Sequence, residues 1–321
     1  MRLGLAAALF GCLAFVAALG SPARADAPQP AAVQPDAGLL AAHETFWNAY
    51  EAGDLWRMSQ LWARDDDKIS AAFPAAATLA VGWGNVQESF RRTFAHNRNV
   101  KIDAKLLRTN AEGDVAWLVS AVRYESVQTQ TGQFVLMDRM FTTEVYRREN
   151  GEWRLVHYHG HFPGFRTMTD DPSTIIVAPP PIDRPDDPVW NLHERFTTAF
   201  AALDLGAMFE LFSPEKSVTA LQPTAPVPFF GPENVIASWK KTFGEIQALT
   251  IEPLQIVVEQ SGSAAWIAEL SQYHIAFKAK PDEIQHFHSV LTTYVLRKEA
   301  GQWQIAHYHA HFGFGFEAHQ D

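Results

Sequence analysis

The sequence predicts an α+β fold made twice: two tandem cone-shaped domains, each with N-terminal helices packed on a curved antiparallel β-sheet. Three observations carry this. Landmarks recur in one order at a nearly constant offset. His43-Glu44-Thr45-Phe46 and Asp54-Leu55 return 150 residues later as His193-Glu194-Arg195-Phe196 and Asp204-Leu205. Ala116-Trp117-Leu118 returns as Ala265-Trp266-Ile267, and Gly151-Glu152-Trp153 through Phe162 returns as Gly301-Gln302-Trp303 through Phe312. A period this long marks a duplicated domain rather than a solenoid. Within each unit, helical spacing of apolar residues gives way to strand-like runs. Asn150-Gly151 is a strong two-residue hairpin signal between the last two runs, with Ala300-Gly301 as its weaker copy.

The elements follow in order. Residues 1–25 read as a signal peptide: Arg2, an apolar run from Leu3 to Leu19, then Ala23-Arg24-Ala25 as a small-x-small cleavage site. The run is shorter than the ~20 residues of a membrane span. The expectation is a periplasmic or secreted protein cleaved near Ala25, with no membrane span. Cleavage removes Cys12, the single cysteine, and with it any disulfide or thiolate ligand. Residues 26–37 are an Ala/Pro/Gln-rich leader, expected to be disordered. Domain 1 is placed at 38–163, a Pro-rich linker at 164–187, domain 2 at 188–316 and a tail at 317–321. Leu39, Phe46, Tyr50, Leu55, Met58 and Leu61 keep helical spacing, with Asp54 as a cap for a second helix. Asn85–Phe94 is a further short helix with Asn85 at its cap. Strands are expected over 100–107, 115–128, 134–148 and 153–162.

Composition limits function. The 321 residues carry 26 basic and 36 acidic side chains, a formal charge of -10. An acidic chain without a basic run argues against nucleic acid as a partner.

Trp-x-Leu-Val-His-Tyr-His after a Gly-containing hairpin resembles the final strand of SnoaL-like domains, within the nuclear transport factor 2-like superfamily. Inside that group it resembles the association domain of calcium/calmodulin-dependent kinase II and the iota class of carbonic anhydrase. Phe-x-x-Ala-Tyr-x-x-Gly-Asp at 46–54 and the Ala-Trp strand fit the same group. The resemblance covers nearly all of both units. The chain departs from it at the histidines. His-Tyr-His-Gly-His and His-Tyr-His-Ala-His stand where those relatives carry serines. The resemblance implies paired domains, so an intramolecular pseudo-dimer is expected, with a higher oligomer left open.

Six of 13 histidines lie on those two strands. Strand alternation puts His157, His159 and His161 on one face, together with Trp153 and Leu155. The same holds for His307, His309 and His311. Three readings follow. The first is a small-molecule cavity lined by the histidine strand, Tyr124, Tyr273, Trp117 and Trp266, with Arg123 placed to grip an acidic ligand. The second is acid–base chemistry by His157, His159, His307 and His309. Hairpin pairing sets Glu144 opposite His157, and the resemblance implies carbon dioxide hydration or another lyase or isomerase step. The third is a non-catalytic assembly module. A metal site is an added option: His288, His309 and His311 could cluster on zinc or copper, with Asp138 as a candidate in domain 1. Partly buried, metal-free histidines are the competing reading.

Overall fold

Short capping signals set the helices. Asp36 accepts from the N–H groups of Gly38 and Leu39 and opens α1 (Ala37–Ala52), which Gly53 closes in the left-handed conformation at φ 63°. Asp54 accepts from the Arg57 N–H and opens α2 (Leu55–Leu61), so the expected cap is present. After β1 (Ser70–Ala72) and β2 (Ala80–Val81), α3 runs Trp83–His96 with Gly82 at its N-cap. This corrects the expected cap. Asn85 lies inside the helix, and its side chain donates to the Val81 carbonyl.

Four long strands follow: β3 (Asn97–Glu112), β4 (Val115–Gln128), β5 (Phe134–Glu149) and β6 (Glu152–His161). The second repeat runs through the same series. It has α4 (Pro188–Ala201), α5 (Leu205–Phe209), β7 (Thr219–Leu221), β8 (Phe229–Phe230), α6 (Pro232–Glu245), β9 (Ile246–Ser261), β10 (Ala264–Phe277), β11 (Lys280–Glu299) and β12 (Gln302–Phe312). A two-residue strand, β13 (Phe316–Glu317), pairs with β11. The sheets are ordered β2-β1-β6-β5-β4-β3 and β8-β7-β12-β11-β10-β9. The computed structural model describes residues 36–64, 67–74, 76–163, 187–313 and 316–317. The expected signal peptide, leader, Pro-rich linker and tail lie outside the described residues, apart from their edges. Among the described residues no helix is long and apolar enough to cross a membrane.

Asn150 and Gly151 both take positive φ, 52° and 85°, which matches the twist of the flanking strands. Ala300 and Gly301 take 47° and 84° at the same turn. Alanine tolerates that region poorly, so the second hairpin is strained where the first is not.

One irregularity decides which side each residue faces. From the turn, Glu149 pairs with Glu152 and Tyr146 with Leu155, as simple hairpin counting expects. Val145 then pairs with His157, because Val156 is an extra residue in β6. The same bulge at Ala306 pairs Leu296 with Ile305 and Val295 with His307. Two expectations are corrected. Trp153 and Leu155 do not share a face with the histidines, since the bulge reverses the alternation between them. Glu144 lies opposite Tyr158 rather than His157.

The concave face of each sheet closes on its helices around a packed aromatic core. Phe46, Tyr50, Phe90, Phe94 and Tyr124 form successive ring contacts in the first repeat. Phe196, Phe200, Trp239, Phe243 and Tyr273 do so in the second. The other faces of the two sheets meet each other. Trp266, Val295 and Ala306 pack into the same apolar cluster as Val145 and Val156. Ala72 and Leu79 pack with Val257, Ala268 and Leu291. Lys68 and Glu259 form an ion pair at 2.8 Å between the repeats.

Candidate functional site

The bulges at Val156 and Ala306 aim all six strand histidines into the contact between the repeats, where each is buried. Two hydrogen-bonded chains run through it, related by the internal duplication. In one, Ser70 Oγ bonds His157 Nδ1 at 2.8 Å, and His157 Nε2 bonds Thr293 Oγ1 at 2.7 Å. The same hydroxyl bonds His159 Nδ1 at 2.7 Å, and His159 Nε2 bonds His311 Nδ1 at 2.7 Å. In the other, Thr219 bonds His307 Nδ1. Thr143 Oγ1 bridges His307 Nε2 and His309 Nδ1 at 2.8 Å each, and His309 Nε2 bonds His161 Nδ1 at 2.6 Å. Each repeat thus lends its β5 or β11 threonine to the other's histidines. The chains end at the Nε2 atoms of His311 and His161, which are buried without a hydrogen-bond partner.

This geometry holds the imidazoles neutral. Burial pushes His157, His161, His307 and His311 down to about 3. Burial, with the neighbouring imidazoles added, holds His159 and His309 well below the ordinary histidine value. A neutral imidazole offers one donor and one acceptor, and this is what a chain of alternating hydroxyls and imidazoles needs. Nitrogen pairs at 2.6–2.7 Å are hydrogen-bonded. Two ligands of one tetrahedral zinc sit wider, at roughly 3.3 Å for bonds of about 2.0 Å.

The concave side holds a different constellation. Glu144, fully buried on β5, bonds His43 Nδ1 from α1 at 2.8 Å. It also accepts from Trp47 Nε1 at 3.0 Å and from the Tyr146 hydroxyl at 2.8 Å. Burial alone would lower the His43 pKa; the Glu144 charge outweighs it, and His43 is raised. In the second repeat Glu269 on β10 bonds His193 Nε2 from α4 at 2.9 Å. It accepts from Tyr294 at 3.2 Å and from Ser271. Burial would raise Glu269, but the His193 charge and these bonds prevail and lower it. The two histidines occupy equivalent positions of the repeat, whereas the carboxylates do not. Glu144 aligns with Tyr294, and Glu269 with Ser120.

The remaining expected residues fall apart. Tyr124 and Tyr273 lie on the concave side, against Tyr50 and Phe200. Trp117 and Trp266 lie on the opposite face, because they pair across with Val145 and Val295 in line with His157 and His307. They do not line the cones. Arg123 is exposed and paired with Glu125 at 2.7 Å and Asp138 at 3.6 Å. The set His288, His309 and His311 is not brought together: His309 and His311 belong to the buried chains, and His288 stacks on His286. Among the described residues, no three His, Cys, Asp or Glu side chains stand ready around one ion.

Sequence reasoning missed His43, His193 and Glu269. His43 carried a signal, since it precedes Phe46, Trp47 and Tyr50 at helical spacing on the inward stripe. Glu269 carried one too, as the one acidic side chain of β10, directly after the apolar run Ala264–Ala268.

A family model for the SnoaL-like domain matches residues 39–163 and again 189–314. The chain belongs to this family, with two copies of the domain in tandem. No curated protein matches it. Among solved structures, the chain is similar to a provisionally assigned calcium/calmodulin-dependent protein kinase type II association domain from Thiobacillus denitrificans ATCC 25259. That match has 26% identity over 38% of this chain and 92% of the other, with a TM-score of 0.34. It is similar to a ketosteroid isomerase-like protein from Erwinia carotovora atroseptica SCRI1043 at 19% identity, over 39% and 93% of the two chains, TM-score 0.34. A nuclear transport factor 2-like superfamily protein from Salmonella enterica serovar Typhimurium LT2 matches at 19%, over 40% and 91%, TM-score 0.36.

Proposed function

We propose that this is an exported small-molecule-binding protein whose two ligand sites are the concave interiors of the domains, each centred on a buried carboxylate–imidazole pair. One observation carries the reading. The helix histidine is kept in both repeats, while the carboxylate that meets it comes from β5 in one and from β10 in the other. A buried ion pair is a weak source of stability compared with packed apolar side chains. Its presence twice, by different routes, speaks for use in chemistry. The aromatic side chains packed around each pair suit a largely apolar ligand. Carboxylate, imidazole and tyrosine hydroxyl suit a hydroxyl or carbonyl group on it. If the ligand is converted, the same groups serve proton transfer in an isomerase or lyase step. The export reading rests on residues 1–25.

A titration of the full chain with 2-naphthol, followed by tryptophan fluorescence, tests this. Trp47 donates to Glu144 and reports on that site. The expected result is saturable binding at two sites, one lost in Glu144→Gln and the other in Glu269→Gln. Absence of saturable binding by naphthols and the matching cyclic ketones, or binding unchanged in both variants, overturns the reading. A second reading, a non-catalytic pairing module, is favoured by the packing of aromatic rings inside each cone. Under it the histidine strands act only as glue between the repeats. The carbon dioxide hydration reading placed its chemistry on those strands, and their burial lends it no support.

A further inference from the structure

A second histidine cluster lies apart from both the cones and the buried chains. His274 and His286 are directly paired across β10 and β11. His288 follows two residues along β11, on the same face. Glu252 on β9 is also on that face, two residues from Thr250, the partner of His274. The Nδ1 atoms of His274 and His286 share a hydrogen bond at 2.6 Å. Their ring centroids are 4.7 Å apart, and His288 stands 6.3 Å from His286 with its ring nearly parallel. On the far side of His274, Nε2 faces Glu252 Oε1 at 3.6 Å. The His274 side chain is 23% exposed, so the cluster is open to solvent while the buried chains are not. None of the three histidines recurs in the first repeat, where Glu125, Leu136 and Asp138 occupy these positions.

We propose that this patch is a transition-metal site of the second domain, with His274 Nδ1 and His286 Nδ1 as its primary ligands. The arrangement has the parts such a site uses. A carboxylate beside the outer nitrogen of a histidine fixes the proton there and leaves the inner nitrogen free to bind. Glu252, 3.6 Å from His274 Nε2 on an exposed side chain, enters that relation by a small rotation. An ion here replaces the proton of the hydrogen bond between the two Nδ1 atoms, which leaves to water, and the nitrogens separate from 2.6 Å to roughly 3.3 Å. His288 is half-buried and reaches the same ion by rotation of its ring, and water completes the shell. Imidazole-rich sites take late first-row ions, with Cu²⁺ held more tightly than Zn²⁺. The ligand set differs from His288, His309 and His311, since the last two are locked in the contact between the repeats.

Equilibrium dialysis of the untagged full chain against Zn²⁺ alone and Cu²⁺ alone tests this. One ion per chain is expected, with Cu²⁺ tighter. In the double variant His274→Asn, His286→Asn the affinity falls at least tenfold. His96→Asn, an exposed histidine elsewhere, leaves it unchanged. In histidine proton spectra, substoichiometric Cu²⁺ broadens the signals of His274, His286 and His288 before any other. Both paired positions are solvent-reachable, and circular dichroism verifies that the variant folds. No stoichiometric uptake, uptake unchanged in the double variant, or broadening first at other histidines overturns the assignment.

Discussion

The imidazoles of His159 and His309 stack face to face across the contact between the repeats, with ring centroids 3.7 Å apart and planes within 8° of parallel. Such close stacking of two bases is favourable only while neither ring is charged. Every bonded nitrogen of the six histidines meets a hydroxyl or another imidazole, never a carboxylate. The histidine chains therefore hold no carboxylate bonded to them to balance a proton.

Acid should open this protein steeply. A histidine whose folded pKa lies below its unfolded 6.5 contributes its full stability above pH 6.5 and loses it as pH falls. One pH unit below that value, each neutral imidazole costs about 1.4 kcal/mol relative to the unfolded chain. Six together cost on the order of 8 kcal/mol, comparable with the whole stability of a typical domain. His43 opposes this with the reverse sign, since its pKa is raised, but it is one group against six. Tryptophan fluorescence against pH should show a cooperative loss of structure between about pH 6 and pH 5, steeper than one proton can give.

The bridging threonines should matter equally. Thr143 and Thr293 each satisfy two histidine nitrogens of the other repeat. Thr143→Val keeps the shape but leaves two buried nitrogens short of a partner, at about 1–3 kcal/mol each. Thr293→Val should cost the same within error, and Thr→Ser at either position should recover most of the loss. Urea denaturation at pH 8 provides the comparison.

The two hairpins should respond in opposite directions. Ala300 holds φ 47° where its counterpart Asn150 holds 52°. Ala300→Asn should stabilise the chain by about 1 kcal/mol, and Asn150→Ala should destabilise it by a similar amount. Thermal unfolding of the two variants beside the parent measures both.

Much of the fold was legible because it rests on local rules. Asp54 caps α2 since a short carboxylate before a helix accepts an orphan N–H. β4 spans Val115–Gln128 as expected because it opens on a continuous apolar run, which a strand covered on both faces requires. The site was less legible. Hairpin counting from Asn150-Gly151 was right as far as Tyr146 and Leu155, then wrong by one residue. Nothing local in Val156 or Ala306 announces a bulge. That single step moved Glu144 from His157 to the concave face.

What the sequence alone determined was the duplication, the helices-then-strands order of each unit and the sharing of one face by His157, His159 and His161. Each depends on neighbours within a few residues or on comparison of the chain with itself. What the tertiary structure decided was which way that face looks and who its partners are. His43 meets Glu144 across 101 residues, and His159 meets His311 across 152. The first is set by how α1 packs on its own sheet and the second by how the two sheets pack together, and no local pattern encodes either.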